Sequence, residues 1–146
     1  MPIVISGLSE LSEALTHKSA RTAKRWLLKC AEPAAKVVVA AGSQNAPEAP
    51  AGTKDTRHPA GMLKASLDYQ TRFDKPQQGE DTRLVVKIGL KNDGTSMWYG
   101  SLQEFGFRDV LGLHWFGRAW ESCKDKCLSV FATEALAMVA DMEDKK

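Results

Sequence analysis

Acid–base, nucleophilic or metal chemistry in this chain would have to come from a small set of histidines, cysteines and carboxylates. The histidines are His17, His58 and His114. His17 stands beside a lysine in a helical pattern and reads as a solvated surface residue, and His58 precedes Pro59 in a loop. Gly-x-Ser-x-Gly does not occur, so there is no serine nucleophile elbow. Cys30, Cys123 and Cys127 all fall on apolar helical stripes, where cysteine acts as a small hydrophobe. A thiolate nucleophile needs exposed, electropositive surroundings that such stripes do not provide. Cys123 and Cys127 have no second Cys/His pair at zinc spacing, and His114, nine residues earlier, does not complete a closed site. No glycine-rich phosphate cradle is present. Glu104, Asp109 and Glu121 read as solvated faces and helix starts; only Glu104, flanked by Leu102 and Phe105, has the apolar neighbours that a proton-holding acid needs. No nucleophile, base and orienting group assemble from these residues. The reading is a protein that is not an enzyme and that needs no cofactor and no metal.

Two other groupings point to contact rather than catalysis. Lys18, Arg21, Arg25 and Lys29 form a basic ridge on one helix face. It suits a solvated face, an inter-subunit contact or a surface turned toward a DNA channel; Trp26 lies on the apolar side, so no aromatic is interleaved for base stacking. Trp98, Tyr99, Phe105, Phe107, Trp115, Phe116 and Trp120 lie within 23 positions and make up seven of the eleven aromatics. A short helix and a loop cannot bury seven large rings alone, so some are expected on a partner, as interface cores favour.

The elements that must position these residues follow from periodicity. Leu8, Leu11 and Leu15 start a helical pattern that Ser6 or Ser9 is placed to cap. It resumes as Ala20, Ala23, Leu27, Cys30, Ala34 and Val38, a continuous stripe to about Ala41. Pro33 either kinks this helix or opens a second one. Gly42 to Gly61, rich in Gly, Pro and Ala, reads as a long loop and a candidate arm that orders on assembly. Leu63 to Phe73 alternates strictly and predicts a strand; a turn cluster follows from Lys75 to Asp81, and Thr82 to Leu90 returns. Trp98, Leu102 and Phe105 predict a two-turn helix stopped by Gly106. Phe107 to Leu113 reads as a short strand or irregular return. Phe116 to about Met142 reads as a long amphipathic helix with the stripe Trp120, Cys123, Cys127, Phe131, Ala135, Met138 and Met142. The expected fold is α+β, a small antiparallel sheet of three or four strands with N-terminal helices and a long C-terminal helix.

The chain has 146 residues, 43% hydrophobic and 26% charged, as expected of one soluble domain spanning residues 1–146. Its apolar runs, such as Val37 to Ala41, are far shorter than a membrane span, and the start lacks the features of a signal peptide. The cysteines are read as reduced thiols of a cytoplasmic protein. Net charge is +2, with +4 on residues 1–75 and −2 on residues 76–146. That asymmetry is small for a dedicated nucleic-acid binder and suits a subunit whose ends meet neighbours of opposite sign.

Three runs in order resemble the small tail-completion, or head–tail joining, proteins of long-tailed bacteriophages. Family members carry a Thr-Gly-x-Leu-x-x-Ser-Ile run entering the first strand. Here Ala60-Gly61-Met62-Leu63-Lys64-Ala65-Ser66-Leu67 matches at Gly61, Leu63 and Ser66. Tyr99-Gly100-Ser101-Leu102-Gln103-Glu104-Phe105-Gly106 matches the family's Tyr-Gly-x-x-x-Glu-Phe-Gly in full. Trp115-Phe116-Gly117-Arg118-Ala119 keeps Phe116 of Pro-Phe-x-x-Pro-Ala, lacks both prolines, and has its alanine, Ala119, one position early. The resemblance implies a structural protein of the virion neck, put together in the cytoplasm of the bacterial host. It implies a ring, of six copies, around a channel through which DNA passes without sequence-specific binding. The implied partners are further copies, the connector, and the tail tube or terminator proteins; no membrane and no small-molecule substrate is involved. The alternatives are a tail-terminator ring capping the tube and a small cytoplasmic nucleic-acid-binding domain using the basic ridge. In the joining reading Gly61, Gly100 and Gly106 serve tight turns and close approaches. Glu104 takes a structural hydrogen bond from a backbone amide or from an arginine such as Arg118.

Overall fold

The computed structural model describes residues 20–48, 61–74, 83–91 and 96–143. The fold is α+β. Helix α1 (Ala20–Asn45) is followed by a single helical turn, α2 (Met62–Ser66), and the strands β1 (Leu67–Asp74) and β2 (Arg83–Leu90). Helix α3 (Ser96–Phe105), the two-residue strands β3 (Gly106–Phe107) and β4 (Val110–Leu111), and the long helix α4 (Trp115–Glu143) complete the order. β1 and β2 form one two-stranded antiparallel ladder. β3 and β4 form another, with Gly106 opposite Leu111 and Phe107 opposite Val110. The four strands therefore make two separate pairs rather than the single sheet of three or four that alternation predicts. The pattern that Leu8 starts, Lys18, the Lys75 to Asp81 turn and most of the loop up to Ala60 lie outside the described residues.

Three boundaries differ from the sequence reading. α1 continues past Ala41 to Asn45, because Gly42 is buried where its lack of a side chain admits Leu67 and Phe116. Ser43 Oγ then donates to the Lys64 carbonyl at 3.3 Å, and Asn45 Nδ2 to the Ala41 carbonyl at 2.9 Å. Residues 42–45 are thus helix, not loop. The strand begins at Leu67, not Leu63. Gly61, left-handed at φ 78°, starts a helical turn in which the Ala65 amide donates to the Gly61 carbonyl at 3.0 Å and Ser66 Oγ to the Met62 carbonyl at 2.7 Å. Leu63 and Leu67, four apart, share a face of a helical turn as readily as one of a strand, and Ala65 between them is exposed, so period alone misplaces the start. α4 begins at Trp115, one residue before Phe116.

Pro33 sits inside α1, which runs on through it. It has no N–H for the Lys29 carbonyl, and its ring crowds that turn. Pro33→Ala is expected to raise stability by about 1–2 kcal/mol, the helix-interior gain less the unfolded-state entropy that proline removes. A higher urea midpoint with an unchanged slope is the readout.

The chain divides into two compact units. The described parts of Met1–Lys36, Thr71–Val86 and Asp125–Lys146 form one. There Cys30 and Ala135 are buried with Phe131, Met138 and Val139 around them, and Cys30 Sγ lies 3.6 Å from Met138 Sδ. Val37–Gln70 and Lys87–Lys124 form the other. Its core is Ala46, Leu63, Leu67 and Trp115, with Val39, Leu90 and Phe116 packed against it. Leu63 and Leu67 come from the turn and strand that the first matched run enters, and the Lys91 amide pins β2 to the Ser66 carbonyl at 2.8 Å.

Candidate functional site

The distinctive geometry lies in the second unit, where α3 hands over to α4. α3 ends at Phe105, and Gly106 takes the left-handed conformation at φ 86° that commonly stops a helix. Phe107 and Val110 pair across a tight turn that puts Arg108 in the left-handed region at φ 52°, with its guanidinium 5.1 Å from the centre of the Phe107 ring. The return leg closes on the helix just left. The Leu113 amide donates to the Gln103 carbonyl at 2.7 Å and the His114 amide to the Glu104 carbonyl at 3.0 Å. These bonds satisfy carbonyls that the end of α3 would otherwise leave without a partner.

The start of α4 has the complementary need, amides without acceptors. His114, just before the helix, is itself left-handed at φ 48°. The usual capping side chains work from an extended conformation. Glu104 serves instead. Its Oε2 accepts from the Phe116 amide at 2.8 Å and its Oε1 from the Gly117 amide at 3.0 Å. A carboxylate here also lies where the helix dipole favours negative charge. One residue thus joins two helices: its carbonyl takes a bond from the return leg and its side chain caps the next helix. Arg118 is not its partner; the exposed Arg118 guanidinium donates to the Leu113 carbonyl. The Trp115 indole N–H reaches the Gly100 carbonyl at 3.4 Å, and Trp115 meets the Phe116 ring edge-on with centroids 5.6 Å apart.

The glycines are part of this joint. A Cβ on Gly100 would run into the Leu90 side chain and lie 3.3 Å from Leu63, so α3 packs closely on the core. A Cβ on Gly106 would meet the Val110 carbonyl oxygen and sit 2.6 Å from the Gly112 nitrogen. One on Gly112 would meet the Glu104 carbonyl oxygen and sit 2.5 Å from the Phe105 carbonyl carbon.

What the joint holds out is apolar. Leu111 is 91% exposed, Phe105 76% and Val110 71%, and Phe107 and Leu113 are exposed too. The turn between them adds only Arg108 and Asp109. Five large apolar residues within nine positions exceed the singly scattered ones normal on a surface.

The matched residues thus meet in one unit. Gly61 and Ser66 shape the turn, Leu63 and Phe116 contribute to the core, Glu104 caps α4 and Gly106 ends α3, while Arg118, at an unspecified position of the third run, donates to the Leu113 carbonyl. Tyr99 lies in α3; its side chain is outside the described residues. Phe105, expected on the inner stripe of α3, is exposed, and Trp120 is exposed on α4. Arg21, Arg25 and Lys29 are exposed on α1 in the other unit, away from the joint's own residues in the chain. Sequence reasoning did not single out Gly112 and Gly117, and weighed His114 only as a metal ligand; the roles of all three depend on a backbone return that no periodicity encodes.

Among the described residues no group of histidine, cysteine and carboxylate side chains is placed to hold a metal, and no helix is long and apolar enough to cross a membrane. All three cysteines are free. Burial pushes the Cys30 thiol above its ordinary range, with Glu134 adding to the shift, and burial raises Cys123 as well. Compared with known proteins, the chain matches no family model, no curated protein and no solved structure.

Proposed function

We propose that this protein is a virion structural subunit of the head–tail interface of a long-tailed phage or prophage, a tail-completion or head–tail joining protein working as a ring around the DNA channel, and not an enzyme. The observation that carries this reading is the apolar hairpin, Phe105 to Leu113, exposed on a joint that Glu104 braces with two amide bonds. The residues that resemble the tail-completion family build this joint. A ring needs one face of each copy to dock on a different face of the next. A rigid apolar projection supplies one half of such a contact, and the exposed edges of its two short strands offer further pairing.

Light scattering on the purified protein, alone and mixed with tails lacking this component, tests the reading. A ring, or a monomer that joins those tails and restores their attachment to heads, is expected. A monomer that ignores the tails overturns it. Leu111→Asp is expected to abolish assembly while changing stability by no more than about 0.5 kcal/mol, the usual range for an exposed position. Unfolding and mass measured on the same sample separate the two effects.

A further inference from the structure

We propose that the row Arg21, Arg25 and Lys29 on α1 is a binding surface for the phosphate backbone of duplex DNA, engaged without regard to base sequence. α1 carries five cations, Arg21, Lys24, Arg25, Lys29 and Lys36, against a single carboxylate, Glu32. Arg21, Arg25 and Lys29 are exposed, and none has an ion-pair partner among the described residues. They recur every fourth residue, which puts them within an arc of about 80° and spreads them over about 12 Å of helix. A duplex presents about seven phosphates over that length, so each cation has an anion within reach. Two of the three are arginines, whose forked donors suit phosphate oxygens. Lys24 flanks the row with its ammonium 5.3 Å from the centre of the Phe73 ring.

The other side of the same stretch decides against a membrane. Helices that lie on lipid need their apolar face free to enter it. Here Cys30, Ala31, Ala34 and Ala35 are buried. No aromatic side chain stands in the row, so stacking on single-stranded bases has no platform. The row offers three cations and no other polar side chain, which favours contact with the backbone of a duplex.

The inference does not rest on the joining role. Anisotropy of two labelled duplexes of unrelated sequence, titrated with the full chain at several salt concentrations, tests it. Equal affinity for both is expected. Three phosphate contacts give a log–log salt slope of about −2.7 for each engaged subunit, so a tenfold rise in salt weakens binding about 500-fold. Arg21→Gln with Arg25→Gln is expected to cut the slope to about a third, with an unchanged circular dichroism spectrum. No binding at low salt, an unchanged slope in the double variant, or equal competition by polyglutamate would each overturn the proposal. Loss of self-association in the double variant without DNA present also overturns it, because the row is then a contact between copies. DNA binding by a protein that ignores tails keeps this inference and removes the joining reading, so the two fail separately.

Discussion

Gly106→Ala is expected to lower stability by about 3–5 kcal/mol, combining left-handed strain with overpacking that cannot relax. Gly106 is left-handed at φ 86°, and the three atoms nearest to its Cβ would all be backbone: the Val110 oxygen, the Gly112 nitrogen and the Leu111 carbonyl carbon. A side chain can rotate away from a new methyl, whereas these atoms are held by the β3–β4 ladder and by the return leg. Gly61 provides the control. It too is left-handed, at φ 78°, but a Cβ there would meet nothing within 4 Å. Gly61→Ala should therefore cost only the conformational part, about 1–2 kcal/mol. Urea unfolding of the pair isolates the clash as the difference between them. Equal losses would mean that the hairpin gives way easily and that Gly106 is needed for its conformation alone. A loss of the larger size removes much of the net stability of an ordinary domain, about 5–15 kcal/mol.

The long amphipathic elements were the legible part of this fold. The stripe through Cys30, Ala34 and Val38 and the one through Cys123 and Ala135 each put buried residues at helical spacing, and the helices are where those stripes are. β1 kept its alternation from Leu67 onward, and β2 exposes Arg83 and Lys87 where charge punctuates the run. Legibility failed where the backbone rather than the pattern decides. The helical turn at Met62–Ser66 is set by the left-handed Gly61 and a Ser66-to-Met62 bond, neither of which changes apolar spacing. Gly42 looks like a loop residue in sequence and is instead a buried helix position where Leu67 and Phe116 need the room. The surplus of aromatics hinted that some rings face outward, and Phe105, Phe107 and Trp120 do. Which ones, and that Val110 and Leu111 join them, depends on the hairpin register.

The site was legible in kind and illegible in partner. Glu104, placed between apolar neighbours, calls for a donor, and the sequence offers both amides and Arg118. Geometry decides between them. The return through Gly112 and His114 brings the first turn of α4 back to the end of α3, so the free amides of Phe116 and Gly117 arrive at the carboxylate as a pair. Arg118, one residue further along the helix, turns to the Leu113 carbonyl.

Glu104→Ala should therefore destabilise the protein by about 2–3 kcal/mol, the range for losing a helix cap made of charge-assisted bonds to two amides. Glu104→Gln keeps one carbonyl acceptor but turns an amide NH2 toward the second donor, so it should lose about half as much. Glu104→Asp is one methylene short of spanning from α3 and should resemble alanine. The Phe116 and Gly117 amides report the cause, because their hydrogen exchange should speed up before that of the rest of α4. Unchanged exchange at those two amides, with stability lost, would place the role of Glu104 elsewhere. The same variant bears on assembly. Glu104 is not part of the exposed apolar surface, yet the hairpin is held between its carbonyl and its carboxylate. If a rigid hairpin is what a neighbouring copy recognises, Glu104→Ala weakens assembly by letting the projection move, and Leu111→Asp abolishes it by changing the surface. Weakened assembly in the first with no gain in hairpin mobility would separate the brace from the contact it presents.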